Sequence, residues 1–237
     1  SFAQAVKSWT IMHYSAGSNS SEEDLMSDIA EMKQGKISTG YNLVLMIDRI
    51  KGFSEDSLTL DGNFTDTRLY QIENNAYYRL NGKEFLPGIE VGQSFEANMA
   101  DASTLKRFIQ YCKKYFPAKH YLLILRSHGN GIGMCPDAEN GIRDRLYPAE
   151  ITNVLTKNES VDILGLDVCS MAGLENLYQW RPEKNSFSAD YVIASAPLSG
   201  AWAYDQILSR LTTKPTSAMA SDSGSMEKGT EKFLDPK

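Results

Sequence analysis

Two residues capable of nucleophilic chemistry stand 41 positions apart, His128 in "RSHGNGIG" and Cys169 in "LGLDVCSMAG". Each follows a run rich in apolar residues, so each side chain should emerge where a buried strand gives way to loop. A thiol becomes thiolate near neutral pH only beside a base or cation, and a histidine at a neighbouring strand end supplies the base. The spacing suits one loop, one crossover helix and one strand. Gly129, Gly131 and Gly133 let the backbone approach a ligand, and N–H groups exposed in such a turn can receive an oxyanion. The same glycines do not make a phosphate loop, because no G-K-[ST] follows and the G-x-G-x-x-G spacing is absent. Asp167, two residues before Cys169, lies in a run that otherwise belongs in the interior, where an unpaired carboxylate is costly. It calls for a cation, either a local arginine or the basic side chain of a substrate. A metal site built from Cys135, Cys169 and His128 would lack a fourth ligand.

These residues need a scaffold that brings strand ends together. "WTIMHY" (9–14), "SEEDLMSDIAEMKQG" (21–35) and "NLVLMID" (42–48) read as strand, helix and strand. Ser20 or Ser21 can cap that helix, Leu25, Met26, Ile29 and Met32 form its apolar stripe, and Gly35 can end it. Residues 52–96 break the rhythm and read as a β-hairpin inserted between α/β units. In "STLKRFIQYCKKYFP", Leu105, Phe108, Ile109, Cys112 and Phe116 share one helical face, which makes Cys112 a core residue, and Pro117 stops the helix. The strand "YLLILR", a helix over Pro148–Lys157, the strand "VDILGLDVC", a helix over Met171–Trp180, the strand 191–196 and a helix over Tyr204–Leu211 follow. A helix starting at Met171 would turn its N-terminal dipole toward the thiolate. Repeated units of this kind predict an α/β fold, a three-layer α/β/α sandwich with a mainly parallel central sheet in one domain over 1–211. Ligands bind beyond the carboxyl ends of such strands, which selects 127–131 and 167–170 together. Residues 212–237 are polar and rich in Ser, Thr and Gly, as in a linker or mobile tail.

Composition narrows the function. Thirty acids against 24 bases give a net charge of −6 without a basic stripe, so neither nucleic acid nor a membrane surface is an expected partner. No apolar run reaches the roughly 18–20 residues that span a bilayer. The chain opens at "SFAQAVKSW" without a leader, which fits a secreted or extracytoplasmic protein whose signal has been removed. Three cysteines, an odd number without C-x-x-C spacing, leave at least one free thiol.

"LRSHGNG" and "DILGLDVCSMAGLE" at this spacing resemble the His-Gly and Asp-x-Cys elements of the clostripain family of cysteine endopeptidases, in the caspase-like group known as clan CD. "WTIMHYSAGSNSSEEDLMSDIAEM" and "ADYVIASAPLSGAWAYDQIL" carry the likeness over residues 8–211. The resemblance implies a caspase-like sandwich, Cys169 as nucleophile, His128 as general base and acid, and the backbone N–H groups of Gly129 and Cys169 as oxyanion hole. It places Asp167 in an S1 pocket for Arg or Lys and implies protein or peptide substrates. It also implies a zymogen cut between His128 and Cys169, with Arg143 and Arg145 as candidates in the polar "AENGIRDRLYP" (138–148). Departures from the family pattern are Ser18 in "AGSNS" and Arg126 and Ser127 in "LRSHG". The chain is short for the family, which leaves room for a C-terminal region. Calcium dependence belongs to some members, and "DGNFTD" (61–66) lacks the ligand count of an EF-hand loop, so no metal or other cofactor is assigned. A catalytically inactive relative binding basic peptide segments is the alternative from another functional class. A monomer is the simplest assembly.

Overall fold

The computed structural model describes residues 6–37, 39–140 and 144–211. In chain order the elements are β1 (Lys7–Gly17), α1 (Glu22–Gln34), β2 (Tyr41–Arg49), β3 (Thr67–Glu73), β4 (Ala76–Arg79), α2 (Ala102–Tyr115) and β5 (Ala118–Arg126). They continue with α3 (Pro148–Val154), a 3-10 turn (Lys157–Glu159), β6 (Val161–Asp167), α4 (Leu174–Gln179), β7 (Ala189–Ala194) and α5 (Tyr204–Arg210). The tail read at 212–237, and Arg143, lie outside the described residues.

All seven strands form one sheet in the order β4-β3-β2-β1-β5-β6-β7. The five strands from β2 to β7 across the sheet run parallel, and β3 and β4 close one edge antiparallel. The expected hairpin is therefore present, but it extends the sheet, with β3 paired to β2 from Leu43↔Ile72 to Asp48↔Thr67. Asn75, with φ 55, turns it; asparagine tolerates the left-handed region better than most residues.

Strand alternation sends successive residues to opposite faces and produces two cores. On one face Met12, Tyr14, Val44, Met46, Leu123 and Leu125 meet Leu105, Phe108, Ile109 and Cys112 of α2. On the other, Ile11, Leu43, Leu45 and Ile124 meet Met26, Ile29 and Met32 of α1 and Leu208 of α5. Every residue of β2 is buried, as its continuous apolar character requires of a central strand. Each such Leu, Ile or Phe contributes about 1.5–3 kcal/mol of transfer free energy, so the two faces fix strand register firmly. Asp101 begins α2 by accepting the Ser103 N–H at 2.7 Å.

Two helices differ from the sequence reading. The helix expected over Pro148–Lys157 ends at Val154, because the Thr156 hydroxyl and the Glu159 carboxylate form a capping box that starts a separate 3-10 turn. The helix expected from Met171 begins only at Leu174 and is six residues long. Between them Ser170 is left-handed, with φ 62, and the N–H groups of Ser170 and Ala172 donate to the carbonyls of Pro197 and Ser195. The backbone after Cys169 is thus drawn toward the segment following β7, and the expected dipole effect of a helix end directly behind the thiol does not arise.

Candidate active site

Strand order reverses at β1, whose neighbours β2 and β5 follow it on opposite sides, so the carboxyl ends of β1 and β5 are where a sheet of this kind receives a ligand. Ser18 to Ser20 leave β1 there, and Ser127 and His128 leave β5. The Ser127 hydroxyl donates to the Ala16 carbonyl at 2.7 Å, and the Asn19 amide lies 3.1 Å from Ser127 Oγ and 2.8 Å from the Pro136 carbonyl. These bonds staple the two strand ends together beneath His128.

His128 Nε2 lies 2.9 Å from Ser20 Oγ, and its carbonyl accepts the Cys135 N–H at 3.0 Å. Partial burial, then the positive charges of Arg126 and Arg145, lower its pKa from the ordinary histidine value, against an opposing pull from Asp24. The neutral imidazole, the form that accepts a proton, is favoured. Of the two serines read from the sequence as helix caps, Ser21 holds the N-cap position without a side-chain cap bond, and Ser20 is a partner of this ring.

Gly129 brings the histidine loop onto the cysteine loop. A Cβ at this position would collide with the Cys169 carbonyl oxygen and stand 3.1 Å from Val168 Cβ and from Met171 Cγ. The Asn176 amide of α4 donates to the Gly131 carbonyl at 2.9 Å and fastens the same two segments. Among the described residues the N–H groups of Gly129 and Cys169 donate to no partner. Cys169 is the one cysteine with surface exposure; Cys112 and Cys135 are buried, and burial pushes the Cys135 thiol up to about 12. Cys169 Sγ accepts the Ser199 N–H at 3.4 Å.

Asp167 is 1% exposed. Tyr204 donates its hydroxyl to Oδ2 at 2.8 Å, Ser199 donates to Oδ1 at 3.4 Å, and Arg126 Nε stands 3.1 Å from Oδ2. The local-arginine reading therefore holds for this carboxylate. Arg126 also reaches Asp28 Oδ2 at 2.6 Å, so two buried carboxylates share one guanidinium. Burial raises both acids despite that cation, Asp28 to about 6. Ser199 touches the thiol with its N–H and Asp167 with its hydroxyl, a link that no spacing in the sequence announces; its place just after β7, at the carboxyl edge, is the available signal.

Of the two cleavage candidates, Arg145 is half-buried, and the Leu146 that follows it is buried with its N–H and carbonyl exchanged with Met134 at 2.8 and 2.9 Å.

The clostripain family model matches residues 13–229. The chain belongs to the clostripain family. Clostripain from Hathewaya histolytica is 41% identical over 219 residues, 85% of this chain and 42% of that protein. A secreted cysteine protease of the family from Bacteroides thetaiotaomicron, solved with an irreversible peptide inhibitor, superposes with a TM-score of 0.65 at 21% identity, covering 91% of this chain and 57% of its own. An inactive zymogen from Parabacteroides distasonis gives 0.59 at 22% identity, covering 87% and 54%. The chain thus spans about half the length of these relatives, and the expected α/β/α sandwich is the fold it shares with the solved ones.

Proposed function

We propose that this chain carries the catalytic centre of a cysteine endopeptidase that cleaves after Arg or Lys. The observation that carries the reading is the packing of Gly129 against the Cys169 backbone, which sets the histidine loop beside the half-buried Cys169. In the proposed reaction His128 takes the proton of Cys169, and Sγ attacks the scissile carbonyl carbon. The resulting oxyanion is received by the free N–H groups of Gly129 and Cys169. His128 returns the proton to the departing amine, leaving an acyl-enzyme, and then deprotonates the water that hydrolyses it. Ser20 holds the imidazole before substrate arrives.

Substrate choice follows from charge. Asp28 and Asp167 carry one more negative charge than Arg126 supplies, and Ser199 connects Asp167 to the thiol. A basic P1 side chain would supply the second cation, and a planar guanidinium could bind bidentately. Activation by self-cleavage after Arg143 is favoured over Arg145, because a cut before Leu146 would have to open its paired, buried backbone first. Action outside the cytoplasm is supported by the Bacteroides relative described as secreted. Among the described residues no helix is long and apolar enough to cross a membrane.

Fluorogenic peptides with Arg, Lys, Asp or Leu at P1, tested with the purified chain and with Cys169→Ala, decide the matter. Turnover confined to Arg and Lys, lost in the variant together with any new N-terminus at Asp144, is the expected result. A folded, reduced and cleaved sample without turnover would leave a binding module for basic peptides.

A further inference from the structure

We infer that Ile132, Leu174 and Tyr178 form an apolar binding strip for the residues that follow the scissile bond, so that the chain selects a large apolar side chain immediately after the cut. The inference rests on the peptidase reading above and adds to it the leaving side of the substrate. Ile132 is 68% exposed, Leu174 79% and Tyr178 58%. Among the described residues, three of the four most exposed large hydrophobic side chains stand on the segments that form the catalytic centre: Ile132 in the histidine loop, Leu174 shortly after the cysteine, and Leu198 beside Ser199. Single apolar residues scattered over a surface need no explanation, whereas a group rimming a catalytic centre marks a binding surface.

Local structure gives no reason for these residue types. The Asn130 N–H donates to the Gly133 carbonyl at 3.1 Å, and Asn130 Oδ1 accepts the N–H groups of Ile132 and Gly133 at 3.2 and 2.9 Å, which closes a tight turn. Such turns favour glycine, asparagine and aspartate, yet a β-branched isoleucine stands at this tip. The Asn176 amide ties the Gly131 carbonyl to the first turn of α4 at 2.9 Å and so holds Ile132 next to the segment that Leu174 begins. Helix α4 packs Leu177 against the core but leaves Leu174 and Tyr178, four residues apart and therefore neighbours on its surface, to solvent. Arg181 stacks on the Tyr178 ring at 3.6 Å and bounds the strip.

The strip and the acids fall on opposite sides of the sheet edge. Asp167 turns to Arg126 and Tyr204, and Tyr204 belongs to the core under α1 and α5. Gly129 meets Val168 and Met171, which belong to the core under α2. Cys169 stands between the two. With the P1 side chain directed to the acids, the departing segment passes over the other side, where Ile132 and Leu174 lie. An extended peptide repeats its side chains on one side every ~6.6 Å, close to the ~6 Å rise between Leu174 and Tyr178. The residue just after the cut (P1′) therefore meets Ile132 and Leu174, and the one two places further (P3′) meets Tyr178. Burial of apolar surface is what the strip offers, so aliphatic and aromatic side chains are its ligands.

The test is a series of quenched peptides with Arg at P1 and Leu, Phe or Gly at P1′ or P3′, run on the active chain beside an arginine coumarylamide that has no residue after the cut. Leu and Phe at P1′ should exceed Gly about ten- to hundredfold in kcat/KM. In Ile132→Ser/Leu174→Ser that ratio should fall nearly to unity, and Tyr178→Ser should lower the corresponding ratio at P3′. Leu58→Ser, at a comparably exposed leucine outside the catalytic segments, should keep both ratios. Each ratio compares two substrates on one protein, so a partial loss of folded or active chain does not move it. Equal turnover across the P1′ series by a chain that hydrolyses the coumarylamide would overturn the inference and leave the peptidase reading standing, since the strip would then serve another partner. A preference that survives the double variant would also overturn it. No turnover of coumarylamide or peptide would overturn the peptidase reading and the inference with it.

Discussion

Asp28 and Asp167 share the guanidinium of Arg126, whereas Asp48, Glu96 and Asp137 face one another with no cationic side chain among the described residues. Both groups lie toward the carboxyl end of the sheet, and both press carboxylates into the interior. An arginine fixes charge and geometry in every medium. A site without one must take its neutralising charge from solution, as protons or as an ion, so its contribution to stability varies with conditions. The chain therefore places a permanent counter-charge beside the thiol and a conditional one beneath the loop that follows the histidine.

Removing the permanent charge should have the largest effect. Arg126→Met leaves two buried carboxylates uncompensated and should cost about 3–5 kcal/mol in urea unfolding of the Cys169→Ala chain; a loss below ~1 kcal/mol would mean that the acids were never charged there. Gly129→Ala comes next. Its Cβ must displace the Cys169 backbone, with an expected stability cost of about 1–3 kcal/mol and a fall in kcat/KM near 100-fold; wild-type turnover would contradict the packing described between the two loops. Asp167→Asn removes the carboxylate that Ser199 links to the thiol and should reduce the preference for Arg or Lys over Leu at P1 roughly ten- to hundredfold, read from kcat/KM with each peptide.

Two smaller effects separate the groups further. His128 is held below the ordinary histidine value of 6.5, so its neutral, base form persists as pH falls, and the acidic limb of kcat/KM should lie below 6.5. A limb at or above that value would point to a different base. Asp28 has the opposite sign: its pKa rises from 3.8 to about 6 on folding, so the folded chain binds the extra proton. That stabilisation is complete below about pH 4 and is lost as pH rises through 6. Asp28→Asn should flatten this part of the stability curve. Smallest of all, Asp48→Asn should change stability by less than ~1 kcal/mol, because burial already favours the protonated acid at this position. The same exchange of acid for amide would then disturb one buried group and barely touch the other.

Much of this arrangement was legible in the residue pattern. The 3.6-residue stripe of α1, the apolar run of β2 and the spacing of His128 to Cys169 each depend on neighbours in the chain, and each element appears where that pattern puts it. What escaped is non-local. Helix α4 begins late because the 195–197 segment captures the backbone after Cys169. Ser20 and Ser199 matter through contacts of 108 and 30 residues' separation. Arg126 stood out as a departure from the family pattern, yet only the folded sheet shows that it answers Asp167 and Asp28 together. The Asp48–Glu96–Asp137 trio joins three segments that no short motif connects.

The ladder between β5 and β6 is indifferent to whether the residues joining them form one covalent chain. β5 and β6 pair from Leu122↔Ile163 to Arg126↔Asp167, and the Met134–Leu146 bridge joins the two sides of any break at 141–143. A break there would divide the molecule into two polypeptides whose contact surface is the interior itself. Two such pieces, produced separately and mixed, should therefore assemble as complementing fragments and part only on denaturation, so that the molecule's integrity resides in its sheet and not in its connectivity.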